Sequence, residues 1–158
     1  MTNQLTIRPA KFEELPTLLE FELGIVTAER PFNPTLKKGE IHYYDLAALI
    51  ESPLAAVYVA ELAGELIASG YVLEKIAQDY LQHDRYGYLG FMFVRPDHRG
   101  KGVNQRILDA LIEWGRKRGL TEFRLEVYSD NLTAISAYEK AGFKPLLLEM
   151  RMGFDQEA

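Results

Sequence analysis

The segment that most constrains the fold runs from residue 88 to 128. It reads as a strand, YLGFMFV (88–94), then a proline-led basic turn, RPDHRGKG (95–102). A helix follows, VNQRILDALIEWGRKRG (103–119), and then a second strand, EFRLEVY (122–128). Val103, Ile107, Leu108, Leu111 and Trp114 share one helical face, and Gly119 is a natural stop. Phe123, Leu125 and Val127 alternate with Glu122, Arg124 and Glu126, which is the period of a strand. Two strands joined through one such helix should lie parallel in a sheet, with a right-handed crossover.

The other elements fit around this unit. LTIRPA (5–10) reads as an opening strand, and FEELPTLLEFELGIV (12–26) as a helix whose Pro16 is tolerable only in the first turn. Residues 29–40, with two prolines and a glycine, read as a loop, and 41–52 as a short helix closed before Pro53. AAVYVAEL (55–62) and ELIASGYVLEKIA (65–77), split by Ala63-Gly64, should form an antiparallel hairpin, followed by a polar loop over 78–87. NLTAISAYEKAG (131–142) reads as a helix and FKPLLLEMRM (143–152) as a last strand region broken near Pro145. The order of elements predicts a mixed sheet with helices packed on it.

Composition narrows the function. A chain of 158 residues suits one domain, 1–158, and can bury a core without staples. It has no cysteine, which excludes disulfides, cysteine nucleophiles and thiolate metal sites and suits a reducing cytoplasm. The three histidines, His42, His83 and His98, have no metal-ligand spacing. The N-terminus lacks a signal-peptide pattern, and no apolar run is long enough to span a membrane. With a net charge of -5, the chain lacks the basic face of a nucleic-acid binder. One basic cluster, near 95–106, needs a local cause, and a small anionic ligand fits it better than a polyanion.

Glycines let a backbone approach a ligand, and a helix N-terminus offers free N–H groups with partial positive charge. Arg99-Gly100-Lys101-Gly102 therefore suits an anion, with a capped turn that happens to be basic as the alternative. G-x-x-x-x-G-K-[ST] is absent, because Val103 follows Gly102. G-x-G-x-x-G fails at its third glycine, where Gln105 stands.

The strand end VRPDHRGKGVN, the helix, the strand LEVYSDN and the helix with Asn131, Ala134, Tyr138, Gly142 and Phe143 at N-x-x-A-x-x-x-Y-x-x-x-G-F spacing together resemble the GNAT family of N-acetyltransferases. The resemblance covers about residues 86 to 152. It implies the GNAT-type acyl-CoA N-acyltransferase fold, an α/β (mixed α+β) architecture with a central sheet of six to seven strands and about four helices. It implies acetyl-CoA as cofactor, with the pyrophosphate on Arg99, Gly100, Lys101, Gly102, Val103 and Asn104. Asn104 departs from the family's small residue at that position, and the backbone N–H survives the change. Met92, Phe93 and Val94 would pair with the pantetheine arm as an added strand, and the Val94 N–H would polarise the thioester carbonyl. Asn131 would contact the CoA arm. Tyr138 matches the tyrosine that protonates the leaving sulfur, against packing on a helix face as the alternative.

The base is the departure from the family. Many relatives carry a carboxylate on the strand before the turn, and Leu89-Gly90-Phe91-Met92 has none. Glu126, in Leu125-Glu126-Val127, matches the glutamate of the family's ribosomal-protein branch. It competes with a surface glutamate paired to Arg124 or Lys144, and with a water-relayed base among Tyr88, Tyr128, His83 and Asp84. Acceptor contacts are expected in the first half, with Glu29, Arg30, Tyr44 and Tyr71 as candidates. The expected reaction is acetyl transfer to a primary amine of a small molecule or a peptide N-terminus, in a protein that is able to form a homodimer. A non-catalytic acetyl-CoA sensor, and a phosphate- or nucleotide-binding domain of another fold, are the competing readings.

Overall fold

The computed structural model describes residues 4–154; residues 1–3 and 155–158, the ends of the expected domain, lie outside them. The chain divides into two compact units, Met1–Glu126 and Val127–Ala158.

The first unit holds β1 (Thr6–Pro9), α1 (Leu15–Glu29), α2 (Leu46–Glu51), β2 (Ala55–Leu62), β3 (Glu65–Ile76), β4 (Arg85–Val94), α3 (Val103–Lys117) and β5 (Phe123–Arg124). The strands lie side by side in chain order. β1 to β4 are antiparallel, and β4 and β5 are parallel across α3, as the 88–128 pattern requires. Ala63 and Gly64 make the β2–β3 turn at φ +52° and +81°, the double left-handed geometry of a tight hairpin. Pro16 falls in the first turn of α1, where no N–H is missed.

α1 and α2 cover one face of the sheet. Leu18, Phe21, Ile25 and Leu46 meet Val57, Val59, Tyr71 and Phe91 there in one buried cluster. α3 covers the other face through the fully buried Ile107, Leu108 and Leu111. Gly70 admits it, since a Cβ there would stand 2.7 Å from Ile107 Cγ2. Trp114 is only half-buried, with the Arg118 guanidinium 4.5 Å from its ring centre. Gly115 takes the buried position instead, against the Phe123 ring.

Several expectations need correction. The helix expected over 41–52 is confined to Leu46–Glu51. Residues 42–44 are held out of it by Glu22, which is fully buried on α1. Its carboxylate accepts the Tyr43 N–H at 2.6 Å, the Tyr44 N–H at 2.9 Å and His42 Nδ1 at 2.9 Å. A buried carboxylate needs such donors, and the chain supplies them at the expense of a helical turn. The sheet has five strands among the described residues, where six to seven were expected. β5 pairs only Gly87 with Phe123 and Tyr88 with Arg124. Its pairing stops just before a bulge that re-aims β4, where Phe91 and Met92 both stand opposite Gly70. Residues 143–152 form no strand. Pro145 lacks a donor there, and Leu146-Leu147-Leu148 breaks the alternation a half-buried strand needs.

The second unit contains α4 (Leu132–Lys140). Asn131 caps it by accepting the Ala134 N–H at 3.2 Å. Gly142, at φ +107°, ends it, and the Phe143 N–H returns to Tyr138 O at 3.0 Å.

The imidazole of His42 makes stability pH-dependent. The hydrogen bond to Glu22 holds the His42 imidazole above its ordinary pKa of 6.5. A raised folded value means that this contribution is complete below the unfolded pKa and is lost as pH rises through the folded one. The stability gap between wild type and His42→Gln in urea unfolding is therefore expected to be larger at pH 6 than at pH 8.5. An equal gap at both values contradicts the coupling.

Candidate active site

The turn that follows β4 is built as an anion cradle. Pro96–His98 make a short 3₁₀ turn. Gly100 and Gly102 then adopt φ +75° and +81°, and Gly102 is the N-cap of α3 without any side-chain cap bond. A Cβ at either glycine would meet open space, so the positive φ alone asks for glycine. Among the described residues, no backbone N–H from Gly100 to Asn104 has a partner. They lie at the positive end of a 15-residue helix. Arg99 is folded back: its Nε donates to Val94 O at 2.9 Å, and its guanidinium lies 6.0 Å from the Phe93 ring centre. Lys101 is exposed.

Among the described residues, no strand pairs with one side of the end of β4. The Arg95 N–H donates to Ile67 O on β3 at 2.8 Å. By strand alternation the Met92 and Val94 N–H groups point away from β3. On that side β5 pairs no further than Tyr88. The bulge sorts the side chains as well. Gly90 and Phe91 both face the α1–α2 side, where Phe91 (φ +58°) is buried. Met92 turns to α3, its Sδ 2.8 Å from where a Gly70 Cβ would be, and Phe93 returns to stack on Phe21 at 4.8 Å. The bulge is pinned by Ser69 Oγ, itself fully buried, which donates to Phe91 O at 3.0 Å.

An aromatic cluster stands on the α1–α2 face. Ring centres are 5.5 Å apart for Tyr44 and Tyr71, 5.4 Å for Tyr44 and Phe91, and 6.4 Å for Tyr71 and Tyr88. Tyr71 lies over Gly90, where a Cβ would be 2.7 Å from its hydroxyl. The Tyr88 hydroxyl donates to Glu126 Oε1 at 2.6 Å. Arg124 pairs with Glu122 at 3.0 Å, and among the described residues it makes no ion pair with Glu126, one of the two surface partners weighed as the alternative. Burial first, and the bond to Glu126 second, push the Tyr88 hydroxyl well above the ordinary tyrosine range. It therefore stays a donor at any physiological pH. Burial, then the Glu126 charge, push Tyr71 up to about 12. Burial, then Tyr71 and Glu29, raise Tyr44.

Of the acceptor candidates, Tyr44, Tyr71 and Glu29 gather here. Burial holds the Glu29 carboxyl above its usual range. Arg30 points elsewhere, donating to Lys37 O at 3.0 Å and Gly39 O at 2.6 Å, which ties down the loop after α1. Asn131 and Tyr138 belong to the second unit, the first as the α4 cap and the second edge-on to Phe143 at 6.0 Å. Two features escaped the sequence reading. Glu22 lies on the same α1 face as Leu18, Ile25 and Val26, and a lone acid among apolar neighbours was its only signal. The Tyr88–Glu126 bond had none. No group of three or more His, Asp and Glu converges as a metal site among the described residues, and no helix there is long and apolar enough to cross a membrane.

Gly90→Ala is expected to displace the Tyr71 ring and cost about 1–3 kcal/mol in urea unfolding, the usual range for overpacking. Unchanged stability contradicts the close approach.

Comparison with known proteins agrees with this geometry. Residues 24–143 match the model of the acetyltransferase (GNAT) family. YobR of Bacillus subtilis (strain 168), an uncharacterized N-acetyltransferase, is 40% identical over 63 residues, which are 40% of this chain and 26% of that protein. The acetyltransferase SG1711 of Sodalis glossinidius is 35% identical over 103 residues, 63% of this chain and 67% of that protein. The match therefore spans about a quarter of the first relative and two thirds of the second. A predicted acetyltransferase from Clostridium acetobutylicum, solved with acetyl-CoA, shares the fold at TM-score 0.72 and 19% identity, over 94% of this chain and 96% of that one. The shared fold and the match over residues 24–143 lead to one conclusion: the chain belongs to the acetyltransferase (GNAT) family.

Proposed function

We propose that the protein is an acetyl-CoA-dependent N-acetyltransferase acting on a primary amine of a small molecule or a peptide N-terminus. The observation that carries this reading is the Tyr88–Glu126 hydrogen bond at the edge of an aromatic cluster. The cofactor supplies the acetyl group as a thioester. The unpartnered N–H groups from Gly100 to Asn104, with Arg99 and Lys101 beside them, fit its pyrophosphate. The free side of Met92, Phe93 and Val94 fits the pantetheine arm. Asn131, whose Oδ1 caps α4, has its amide nitrogen to offer the same arm.

Each chemical role falls to a residue of this chain. Glu126 accepts one proton from the substrate ammonium, which frees the nitrogen lone pair for the carbonyl carbon. The Val94 N–H donates to the carbonyl oxygen as negative charge builds there. Tyr138 gives a proton to the sulfur as the C–S bond breaks, and the second proton shed by the nitrogen restores the tyrosine, so one amide forms, one thiol leaves and the net proton released is the one on Glu126. The competing reading, a non-catalytic acetyl-CoA-binding module, rests on the missing carboxylate in 88–94. Tyr88, on that strand, holds Glu126 in its place, which supports turnover.

The two units work as one domain in this reading, since the family match runs across residue 126. The lack of cysteine suits the cytoplasm. A homodimer is part of the proposal: Leu146, Leu147, Leu148, Met150, Met152 and Phe154 are between 67% and 91% exposed, an apolar surface that a second copy would cover. Sedimentation that shows only monomer at micromolar concentrations contradicts it.

Glu126→Gln is expected to lower kcat/KM roughly 100-fold or more. The loss should be greatest at low pH and shrink as pH approaches the pKa of the amine, which then supplies its own free base. A pH–rate profile of unchanged shape removes Glu126 as the base. Tyr138→Phe is expected to lower kcat by a similar factor, roughly 100-fold, and unaltered turnover removes it as the acid.

A further inference from the structure

A cleft of about 330 Å³ opens between α2 and β3. Its walls are Tyr43, Tyr44, Tyr71, Leu49, Leu73 and Ala48, with Ser52 beside them, whose Oγ already accepts the Leu54 N–H at 3.1 Å. No lysine, arginine or histidine lines it. Its charged member is Asp45, and that carboxylate already accepts the Ala48 N–H at 3.1 Å as the cap of α2. An anionic body would find no counter-ion here. A body with several ammonium or hydroxyl groups would lose water to aromatic and aliphatic walls with little in return. An apolar body matches the lining.

The cleft also leads to the reacting end. Tyr71 is one of its walls and, on its other side, the neighbour of Tyr88 at 6.4 Å. Tyr88 carries the hydrogen bond to Glu126. A ligand lying along Tyr71 thus has apolar walls at one end and a carboxylate at the other. Two sets of contacts hold the arrangement. Glu22 fixes the backbone of Tyr43 and Tyr44, and Gly90 leaves the room in which the Tyr71 ring lies.

We infer that the acceptor is a small primary amine with one cationic head and an uncharged apolar body, aryl or alkyl, seated between α2 and β3. The inference rests on the N-acetyltransferase reading and deepens it by naming the acceptor class. Size sets the selectivity: each added methylene that fits such a pocket improves kcat/KM by roughly tenfold or somewhat more, until the cleft is filled.

The test is CoA thiol release by the wild-type protein with acetyl-CoA and a panel of amines. 2-Phenylethylamine and hexylamine are compared with spermidine, an aminoglycoside, free lysine and a short peptide with a free N-terminus. The expected result is kcat/KM at least tenfold higher for the two apolar amines, and higher for hexylamine than for propylamine, which is added as the short-chain control. Equal or faster release with the polyamine, aminoglycoside, amino acid or peptide overturns this inference and leaves the enzyme reading standing. No release with any amine overturns both. A second measurement locates the site. Ala48 is exposed on α2, so Ala48→Arg puts a long cation at the mouth of the cleft without disturbing the core. It is expected to raise the KM for 2-phenylethylamine roughly tenfold, while the Kd for acetyl-CoA and the melting temperature hold. An unaltered amine KM overturns the placement.

Discussion

The packing of α1 and α2 on the sheet depends on one buried carboxylate. Glu22 sits on the apolar face of α1 with no solvent exposure. An isolated charge in that position would be untenable. Three donors from residues 42 to 44 make it tenable, and in doing so they fix the chain that leads into α2. Tyr43 and Tyr44 are presented to the sheet by that fixed backbone, and not by a helix of their own. The same bonds thus stabilise the unit and shape the wall of its cleft.

The second constraint is the bulge in β4. One extra residue on β4, between the partners of Tyr71 and Ser69, moves every later side chain to the opposite face. Gly90 and Phe91 end up together under the tyrosines, while Met92 goes to α3. The strand end also loses its neighbour on one side, because β5 pairs only as far as Tyr88. A strand edge that is open just ahead of a glycine turn and a helix N-terminus can take an extended ligand arm at one end and its phosphates at the other. Left-handed geometry at a buried phenylalanine costs roughly 1–2 kcal/mol, and the Ser69 hydroxyl bond offsets part of that.

Much of this was legible in the residues, for local reasons. The β2–β3 hairpin, the crossover through α3 and the glycine turn follow from backbone conformations that only certain residues adopt, so a short window shows them. The family motif was local in the same sense. What failed was non-local. The helix over 41–52 has the right pattern, but residues 42–44 are claimed by a carboxylate about 20 positions upstream. The alternation over 122–128 is sound, yet pairing also needs a partner strand, and the bulge turns that partner away. The partner of Glu126, Tyr88, lies 38 positions away, so no short window shows that bond. Arg30 looked available to a ligand until its loop folded back onto it.

The central claim is that one stretch, the end of β4 and the turn into α3, holds the acetyl donor. Titration of isotope-labelled protein with acetyl-CoA, followed through backbone amide resonances, tests it most directly. The account predicts that the largest shifts fall on Met92, Val94 and the run from Gly100 to Asn104, and that ATP at the same concentration does not reproduce those on Met92 and Val94. Saturation with acetyl-CoA that leaves these amides unmoved, while others shift, would contradict it.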